Sequence, residues 1–177
     1  LNVNTAINLM DAVRKNNIDT RIVLVGSSDQ YGELGKLGNN VVEDIETKPQ
    51  SPYAISKKAQ EEMAKVYVNA YGLKICMTRS FNHSGAGQQE GFIIPDFAAG
   101  IVRIENGQDN ELKTGNLTAK RDFTHVKDVV RAYRLIAEKG RPGDVYNVGS
   151  GESHSAQEVL DLLISMAKCD VIVKMDP

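Results

Sequence analysis

The apolar residues of this chain follow two spacings that alternate along the sequence. Ala6, Met10 and Val13 recur at helical spacing, so the pattern predicts a helix over residues 2–16. Residues 22–25 instead form one unbroken apolar run, which is typical of a strand buried on both faces. Because helical and strand-like segments keep alternating to the end of the chain, the sequence predicts an α/β fold with a largely parallel sheet.

The clearest helix start and end signals surround the second predicted helix. Ser51 and Pro52 suit its N-cap and first turn, and Gly72 suits its C-terminal end, so we expect a helix over residues 52–71 after a polar loop at 27–50. Its expected buried stripe is Ala59, Met63, Val66, Tyr67 and Ala70. Further helices are predicted to include 97–105 and to span 126–139 and 155–168, and further strands to span 74–78, 111–114, 145–148 and 171–173.

Charge and cysteine content exclude several classes of function. The net charge is -2 and no run of basic residues occurs, which gives no reason to expect nucleic acid or an anionic membrane as a partner. Cys76 and Cys169 lack metal-ligand spacing, and the three histidines show none either, so we expect no catalytic metal. The chain also has no apolar stretch of the length needed to span a bilayer, and free cysteines fit a reducing compartment, which we take to be the cytoplasm.

Two short motifs carry the candidate chemistry. The first, Gly26–Gly32 (Gly-Ser-Ser-Asp-Gln-Tyr-Gly), directly follows the buried strand 22–25, and the second, Pro52–Lys57, opens a helix. A spacing of four residues places Tyr53 and Lys57 on the same helix face. Alone, that spacing is equally typical of two side chains on a solvated surface. Its combination with a serine at a strand end predicts a ligand site at the carboxyl edge of the sheet.

These residue types suit proton transfer at an alcohol or ketone oxygen. A free tyrosine titrates near pH 10, so it is a poor acid or base at neutral pH unless a nearby cation stabilises its phenolate. Lys57 would supply that cation, and Ser27 would hold the substrate oxygen beside Tyr53. The sequence therefore predicts Ser27, Tyr53 and Lys57 as catalytic residues.

The same motifs carry a family resemblance. Ser27–Gly32, followed by Pro52-Tyr53 and Lys57, resembles the signature of extended short-chain dehydrogenases/reductases that act on nucleotide sugars. Within that family, 79–88, 91–98 and 115–124 are most similar to the GDP-4-keto-6-deoxy-D-mannose reductases. The resemblance implies NADP or NAD as cofactor and a nucleotide-diphosphate sugar as substrate.

Further site residues are implied only by this resemblance. Tyr53, Lys57 and Phe81 would contact the cofactor, and the substrate would contact Ser28, Asn82, Arg121 and Asn116. Arg121 would pair with the diphosphate, for which a guanidinium is well shaped. The open alternatives are an ion pair of Arg121 with Asp122 or Asp128, and a turn-capping role for Asn82 or Asn116.

The resemblance also implies a domain organisation. Residues 1–84 would form part of a Rossmann-type dinucleotide-binding domain without its glycine-rich loop. Residues 85–177 would form mostly an incomplete substrate-binding region, with segments returning to the Rossmann sheet. With no initiator Met and a helix at its start, the chain is expected to be a fragment that binds dinucleotide weakly and turns over poorly by itself.

Three classes of function remain open from the sequence. The first is reduction of the C4 ketone of GDP-4-keto-6-deoxymannose. The second is a related 4,6-dehydratase or 4-epimerase, in which Asp29 would be the additional acid or base of a dehydratase. The third is a non-catalytic relative, which would not need Ser27, Tyr53 and Lys57 together. The resemblance further implies a homodimer that pairs the helices at 2–16 and 53–71.

Overall fold

The computed structural model describes residues 2–35 and 41–175, in which helices and strands alternate. The helices are α1 (Asn2–Lys15), α2 (Pro52–Tyr71), α3 (Ile93–Glu105), α4 (Val126–Lys139) and α5 (Ala156–Ser165), with a 3-10 segment at Ser28–Gly35. The strands are β1 (Arg21–Val25), β2 (Lys74–Ser80), β3 (Asn82–Ser84), β4 (Leu112–Thr114), β5 (Lys120–Arg121), β6 (Phe123–His125), β7 (Val145–Val148), β8 (His154–Ser155) and β9 (Val173–Met175).

A three-stranded parallel sheet forms the centre of the fold. Its strand order is β1-β2-β7, and Leu24 lies opposite Met77 while Thr78 lies opposite Tyr146. Parallel neighbours need crossover connections, which α2 supplies between β1 and β2. The predicted α/β fold with a Rossmann-type parallel sheet is thereby confirmed.

Both faces of this sheet are covered, because alternate residues of β2 pack into hydrophobic clusters on opposite faces of it. Ile75 and Met77 pack with Met10 of α1 and with Ala64 of α2. Cys76 points to the other face, where it joins a cluster that includes Val129, Ile136 and Val148 of α4 and β7. This two-sided burial explains why residues 22–25 of β1 and 75–77 of β2 are apolar without alternation.

A second hydrophobic core lies in the later part of the chain. Phe97 and Ile101 of α3 pack there with Leu112 of β4 and with Ala156 and Leu160 of α5. By contrast, α4 packs on the central sheet, and β7 is one of the strands of that sheet. The short strands β3 and β6 pair in parallel.

The buried face of α2 differs from the predicted stripe. Tyr67 is buried as expected, but Val66 is 51% exposed and Ala70 is also exposed, while Gln60 and Glu61 are buried. Glu61 can be buried because it has a charged partner on β2, namely Arg79. The prediction was therefore wrong for Val66 and Ala70.

Several predicted boundaries also need correction. The last strand is Val173–Met175 rather than 171–173, because Val171 packs into the second core and the pairing with β4 begins at Val173. The helix predicted at 155–168 ends at Ser165, although its capping box between Ser155 and Glu158 is confirmed. The predicted loop at 27–50 contains the 3-10 segment. Strands β3, β5, β6 and β8 were missed, since pairings of two or three residues leave no periodicity in the sequence.

Candidate active site

The loop that follows β1 is shaped by close packing against β2. A Cβ atom at Gly26 would lie 2.1 Å from the carbonyl oxygen of Thr78, so only glycine fits there. Ser27 comes next, and its Oγ accepts a hydrogen bond from the Asp29 amide at 3.2 Å. Ser28 is buried and Asp29 is exposed. The carboxyl end of β1 thus presents three consecutive polar side chains.

Helix α2 presents Tyr53 and Lys57 to the same loop. The helix begins after Ser51, whose Oγ accepts the amide hydrogen of Ala54 at 3.1 Å, and Pro52 occupies its first turn. Gly72 ends it in the left-handed conformation, as the sequence predicts. Tyr53 is 49% exposed, so its side chain is accessible to a ligand.

Lys57 is anchored at the end of β1. Its Nζ donates a hydrogen bond to the carbonyl oxygen of Val25 at 2.8 Å and lies 5.9 Å from the centre of the Tyr53 ring. Partial burial lowers the pKa of the Lys57 ammonium from its ordinary value, because removal of water disfavours the charged form. The Lys57 ammonium is therefore held near the Tyr53 ring.

Phe81 and Asn82 follow the neighbouring strand β2. The Phe81 amide donates to the carbonyl oxygen of Val148 at 2.8 Å, and its ring stacks on Tyr31 with the centroids 6.5 Å apart. Asn82 is exposed and lies opposite Phe123 in the β3-β6 pairing. These two residues follow the carboxyl end of β2, which pairs with β1 in the parallel sheet.

The predicted residues of β1, α2 and β2 line one cleft of about 940 Å³. Seven of the predicted residues belong to its wall: Ser27, Ser28, Asp29, Tyr53, Lys57, Phe81 and Asn82. A second cleft of about 840 Å³ shares the wall at 84–88 and is otherwise lined by α3 and β6 residues, including Pro95, Phe123 and His125. The two clefts together form an extended concave surface of the kind that binds ligands.

Arg121 and Asn116 are not among the residues that line either cleft. Arg121 donates a hydrogen bond to the carbonyl oxygen of Lys120 at 2.7 Å. Within residues 2–35 and 41–175 it forms no ion pair with Asp122 or Asp128, and Asp128 pairs with Arg131 at 3.0 Å. The Asn116 Oδ1 accepts from both the amide and the hydroxyl of Thr118 at 2.8 Å, which is the turn-capping arrangement. Their contacts with a substrate stay predictions.

The structure also places residues at the site that the sequence did not single out. Ser80 and Tyr133 line the cleft and share a hydrogen bond of 2.6 Å between their hydroxyls. The His83 ring contacts the carbonyl oxygen of Phe81 through Nδ1 at 2.8 Å. Tyr133 lies in α4, more than fifty residues beyond Ser80, so no local pattern in the sequence could have paired them.

Neither a metal-binding cluster nor a membrane-spanning helix is found in the described part of the chain. No group of three His, Cys, Asp or Glu side chains in residues 2–35 and 41–175 could hold a metal ion. Over the same residues, no helix has the length and apolar character needed to cross a membrane.

Comparison with known sequences supports the same family. The family model described as GDP-mannose 4,6 dehydratase matches residues 1–176. The GDP-6-deoxy-D-mannose reductase of Pseudomonas aeruginosa is 32% identical over 178 residues, covering 100% of this chain and 59% of that protein. GDP-mannose 4,6 dehydratase 1 of Arabidopsis thaliana is 34% identical over 161 residues, covering 89% of this chain and 44% of that protein. The chain thus spans less than two thirds of these curated relatives.

Solved structures agree with the fold and with the sequence match. The structure of RMD from Pseudomonas aeruginosa complexed with NADPH superposes with a TM-score of 0.94 at 31% identity, covering 99% of this chain and 60% of that one. The dTDP-glucose 4,6-dehydratase from Bacillus anthracis in complex with NAD gives a TM-score of 0.83 at 28% identity, covering 99% and 56%. Since the family match extends over nearly the whole chain and the fold agrees, this chain belongs to the GDP-mannose 4,6 dehydratase family of extended short-chain dehydrogenases/reductases.

Proposed function

We propose that the full-length protein is a nucleotide-sugar oxidoreductase that reduces the C4 ketone of GDP-4-keto-6-deoxymannose with NADPH or NADH. The observation that carries the proposal is the convergence of Ser27, Tyr53, Lys57 and Phe81 on one cleft. The 32% identity with a GDP-6-deoxy-D-mannose reductase over the whole chain supports this reaction, while the 34% identity with a GDP-mannose 4,6 dehydratase over 89% of the chain keeps the dehydratase as the alternative.

The side chains of the cleft fit a nicotinamide nucleotide. A lysine ammonium carries three N–H donors, and among the described residues Lys57 uses one of them, on the Val25 carbonyl. The other two are available for ligand hydroxyls. Phe81 lines the opposite wall, where its ring and backbone would contact the nicotinamide. When bound, the reduced cofactor supplies the hydride that the substrate carbon accepts.

The protein's own residues would supply the proton that the C4 oxygen accepts. Ser27 Oγ hydrogen-bonds the C4 oxygen and holds it beside Tyr53. As negative charge develops on that oxygen, the Tyr53 phenol donates its proton and leaves a hydroxyl on the sugar. The Lys57 ammonium then stabilises the phenolate until solvent restores the proton. Ser28, Asn82, Arg121 and Asn116 are the proposed contacts of the substrate beyond its reacting carbon.

The assay that tests this proposal follows the loss of cofactor absorbance when the full-length protein is mixed with GDP-4-keto-6-deoxymannose. Rapid oxidation of NADPH or NADH with conversion of the C4 ketone into a hydroxyl is expected. The reductase assignment is wrong if neither cofactor is oxidised with this substrate and the protein instead consumes GDP-mannose or another nucleotide sugar. A dehydratase or epimerase then replaces it.

Asp29 favours a 4,6-dehydratase, or a related 4-epimerase, as the second candidate. Its carboxylate lines the cleft two residues after Ser27 and is exposed to a ligand. Elimination of water across C5 and C6 needs an additional acid or base, whereas ketone reduction does not.

Replacement of Asp29 by asparagine separates these two functions. If the protein is a dehydratase, Asp29→Asn removes its acid or base and lowers the dehydration rate by about 10²- to 10⁴-fold. If the protein is a reductase, much of the rate of ketone reduction remains. The two rates are measured on GDP-mannose and on the 4-keto sugar with the same preparations. Equal loss of both activities would contradict any selective role for Asp29.

We also propose that the full-length protein is a homodimer that pairs α1 and α2 with their counterparts. Leu9 of α1 and Ile55 and Val66 of α2 are 51%, 56% and 51% exposed, so both helices retain apolar surface outside their own core. Light scattering is expected to give twice the subunit mass. A monomer mass over the micromolar concentration range would refute the dimer.

A further inference from the structure

A buried ion pair joins α2 to β2. Glu61 and Arg79 side chains are only 3% and 4% exposed, and two bonds connect them, from Arg79 Nε to Glu61 Oε2 at 2.9 Å and from Arg79 Nη2 to Glu61 Oε1 at 2.8 Å. Glu61 follows Lys57 by one helical turn on α2. The pair therefore fixes the helix that carries Tyr53 and Lys57 relative to the strand that leads to Phe81.

Gln30 connects the same carboxylate to the Ser27 loop. Its side chain is fully buried, and its Nε2 donates to Glu61 Oε2 at 2.8 Å. The Gln30 Oε1 accepts the amide hydrogen of Ser27 at 3.2 Å, and the Gln30 amide donates back to the Ser27 carbonyl oxygen at 3.2 Å. The backbone of Ser27 is thus held through one glutamine by a charge on α2.

Arg79 extends the connection to Phe81. Its guanidinium lies over the Tyr31 ring, 4.7 Å from the centroid, and this ring stacks on Phe81. The remaining Nη1 donates to the carbonyl oxygen of Glu43 at 3.0 Å. One buried network therefore contacts all three parts of the site, namely the Ser27 loop, helix α2 and the segment after β2.

Stability alone does not explain a charge pair in this position. An apolar pair of similar volume often stabilises a fold as well as a buried ion pair does, because the charges lose their hydration. Bidentate and charged hydrogen bonds instead fix direction and distance. We propose that Gln30, Glu61 and Arg79 are positioning residues that set the Ser27 loop against Tyr53 and Lys57, an inference that rests on the proposed function for its effect on rate.

Gln30→Met is the variant that tests the proposal, because it removes both side-chain bonds of Gln30 and leaves the ion pair in place. In the full-length protein kcat for ketone reduction is expected to fall about 10- to 100-fold, since a misplaced catalytic group costs rate in this range, while the KM values for sugar and cofactor change little. The matched control is Lys65→Met, which removes another bond to Glu61, of 3.0 Å, together with the exposed bond of 2.9 Å from Lys65 to Glu62. The control should stay within about twofold of the wild-type kcat.

Hydrogen exchange supplies a readout that does not depend on activity. The amides of 27–29 should exchange at least tenfold faster in Gln30→Met than in wild type and Lys65→Met, with the exchange of the β2 amides unchanged.

If Gln30→Met does not fold, Gln30→Asn, which keeps a buried amide but is too short to bridge Ser27 and Glu61, takes its place. Wild-type exchange at 27–29 in the folded variant would overturn the proposal, as would a wild-type kcat. If the wild-type protein does not reduce the ketone, the proposed function fails, and the exchange measurement still decides the positioning role.

Discussion

Tyr53→Phe in the full-length protein is expected to lower kcat for ketone reduction by about 10³-fold, within the range that a general acid contributes. The change removes only the hydroxyl, because phenylalanine keeps the ring. Nothing else in the described part of the cleft combines a phenol with an anchored ammonium, which lies 5.9 Å from the Tyr53 ring centre. The rate is measured from cofactor oxidation at saturating substrate, and cofactor affinity is measured separately by fluorescence.

The control for this variant is Tyr71→Phe. Tyr71 lies at the other end of α2, is 53% exposed, and makes its contacts with Tyr67 and Arg14 through its ring. Loss of that hydroxyl should leave kcat within about twofold. If Tyr53→Phe were as active as Tyr71→Phe, Tyr53 would not be the acid. If the protein reduced no ketone and Tyr53→Phe left every function unchanged, a non-catalytic relative would become the better interpretation.

The sequence was sufficient for those parts of the site that depend on local signals. The run before Gly26 marks a buried strand, and Ser51, Pro52 and Gly72 mark the ends of α2. These signals place Ser27, Tyr53 and Lys57 at the carboxyl edge of a parallel sheet without any knowledge of distant contacts. The predicted convergence of these residues agrees with the lining of the cleft.

The buried network could not be predicted in the same way, because it depends on tertiary contacts. Glu61 lies in the polar stretch 57–62, in which a solvated helix face is the natural interpretation. Its burial depends on Arg79, which lies 18 residues away on the buried strand β2. Likewise, Gln30 is one polar residue within a loop until its contacts with Ser27 and Glu61 are known. An ion pair between residues that are far apart in the chain leaves no periodic pattern in a single sequence.

Glu61→Gln is expected to destabilise the full-length protein by about 3–5 kcal/mol, because it leaves the buried Arg79 charge without its partner. The free energy of unfolding is measured by urea denaturation. Glu62→Gln is the matched control, since Glu62 is the adjacent residue and pairs at the surface with Lys58 at 2.7 Å and Lys65 at 2.9 Å. An exposed pair of this kind contributes about 0–1 kcal/mol. Equal losses in the two variants would contradict a special role for the buried charge.

The loss in Glu61→Gln should also depend on pH. Burial alone would raise the pKa of Glu61, but hydrogen bonds from Arg79 and Lys65 outweigh it and lower the pKa from 4.5 to about 2. A carboxylate whose pKa is lower in the folded state stabilises the protein fully above its unfolded pKa, and this stabilisation is lost as the pH falls toward the folded pKa. The difference in unfolding free energy between wild type and Glu61→Gln should therefore be greatest above about pH 5 and shrink toward pH 2.

The size of the pH effect can be compared with the effect of the substitution. A shift from 4.5 to about 2 corresponds to roughly 3 kcal/mol, which lies at the lower end of the loss expected for the broken pair. The double variant Glu61→Met with Arg79→Met should recover much of the stability, because it removes both buried charges together. If the double variant were as unstable as Glu61→Gln and had no higher kcat, the unpaired Arg79 charge could not be the cause of the lost stability. If the double variant regained stability but its kcat stayed low, the role of the ion pair would be to set the geometry of the site. Two apolar side chains would then supply the stability without it.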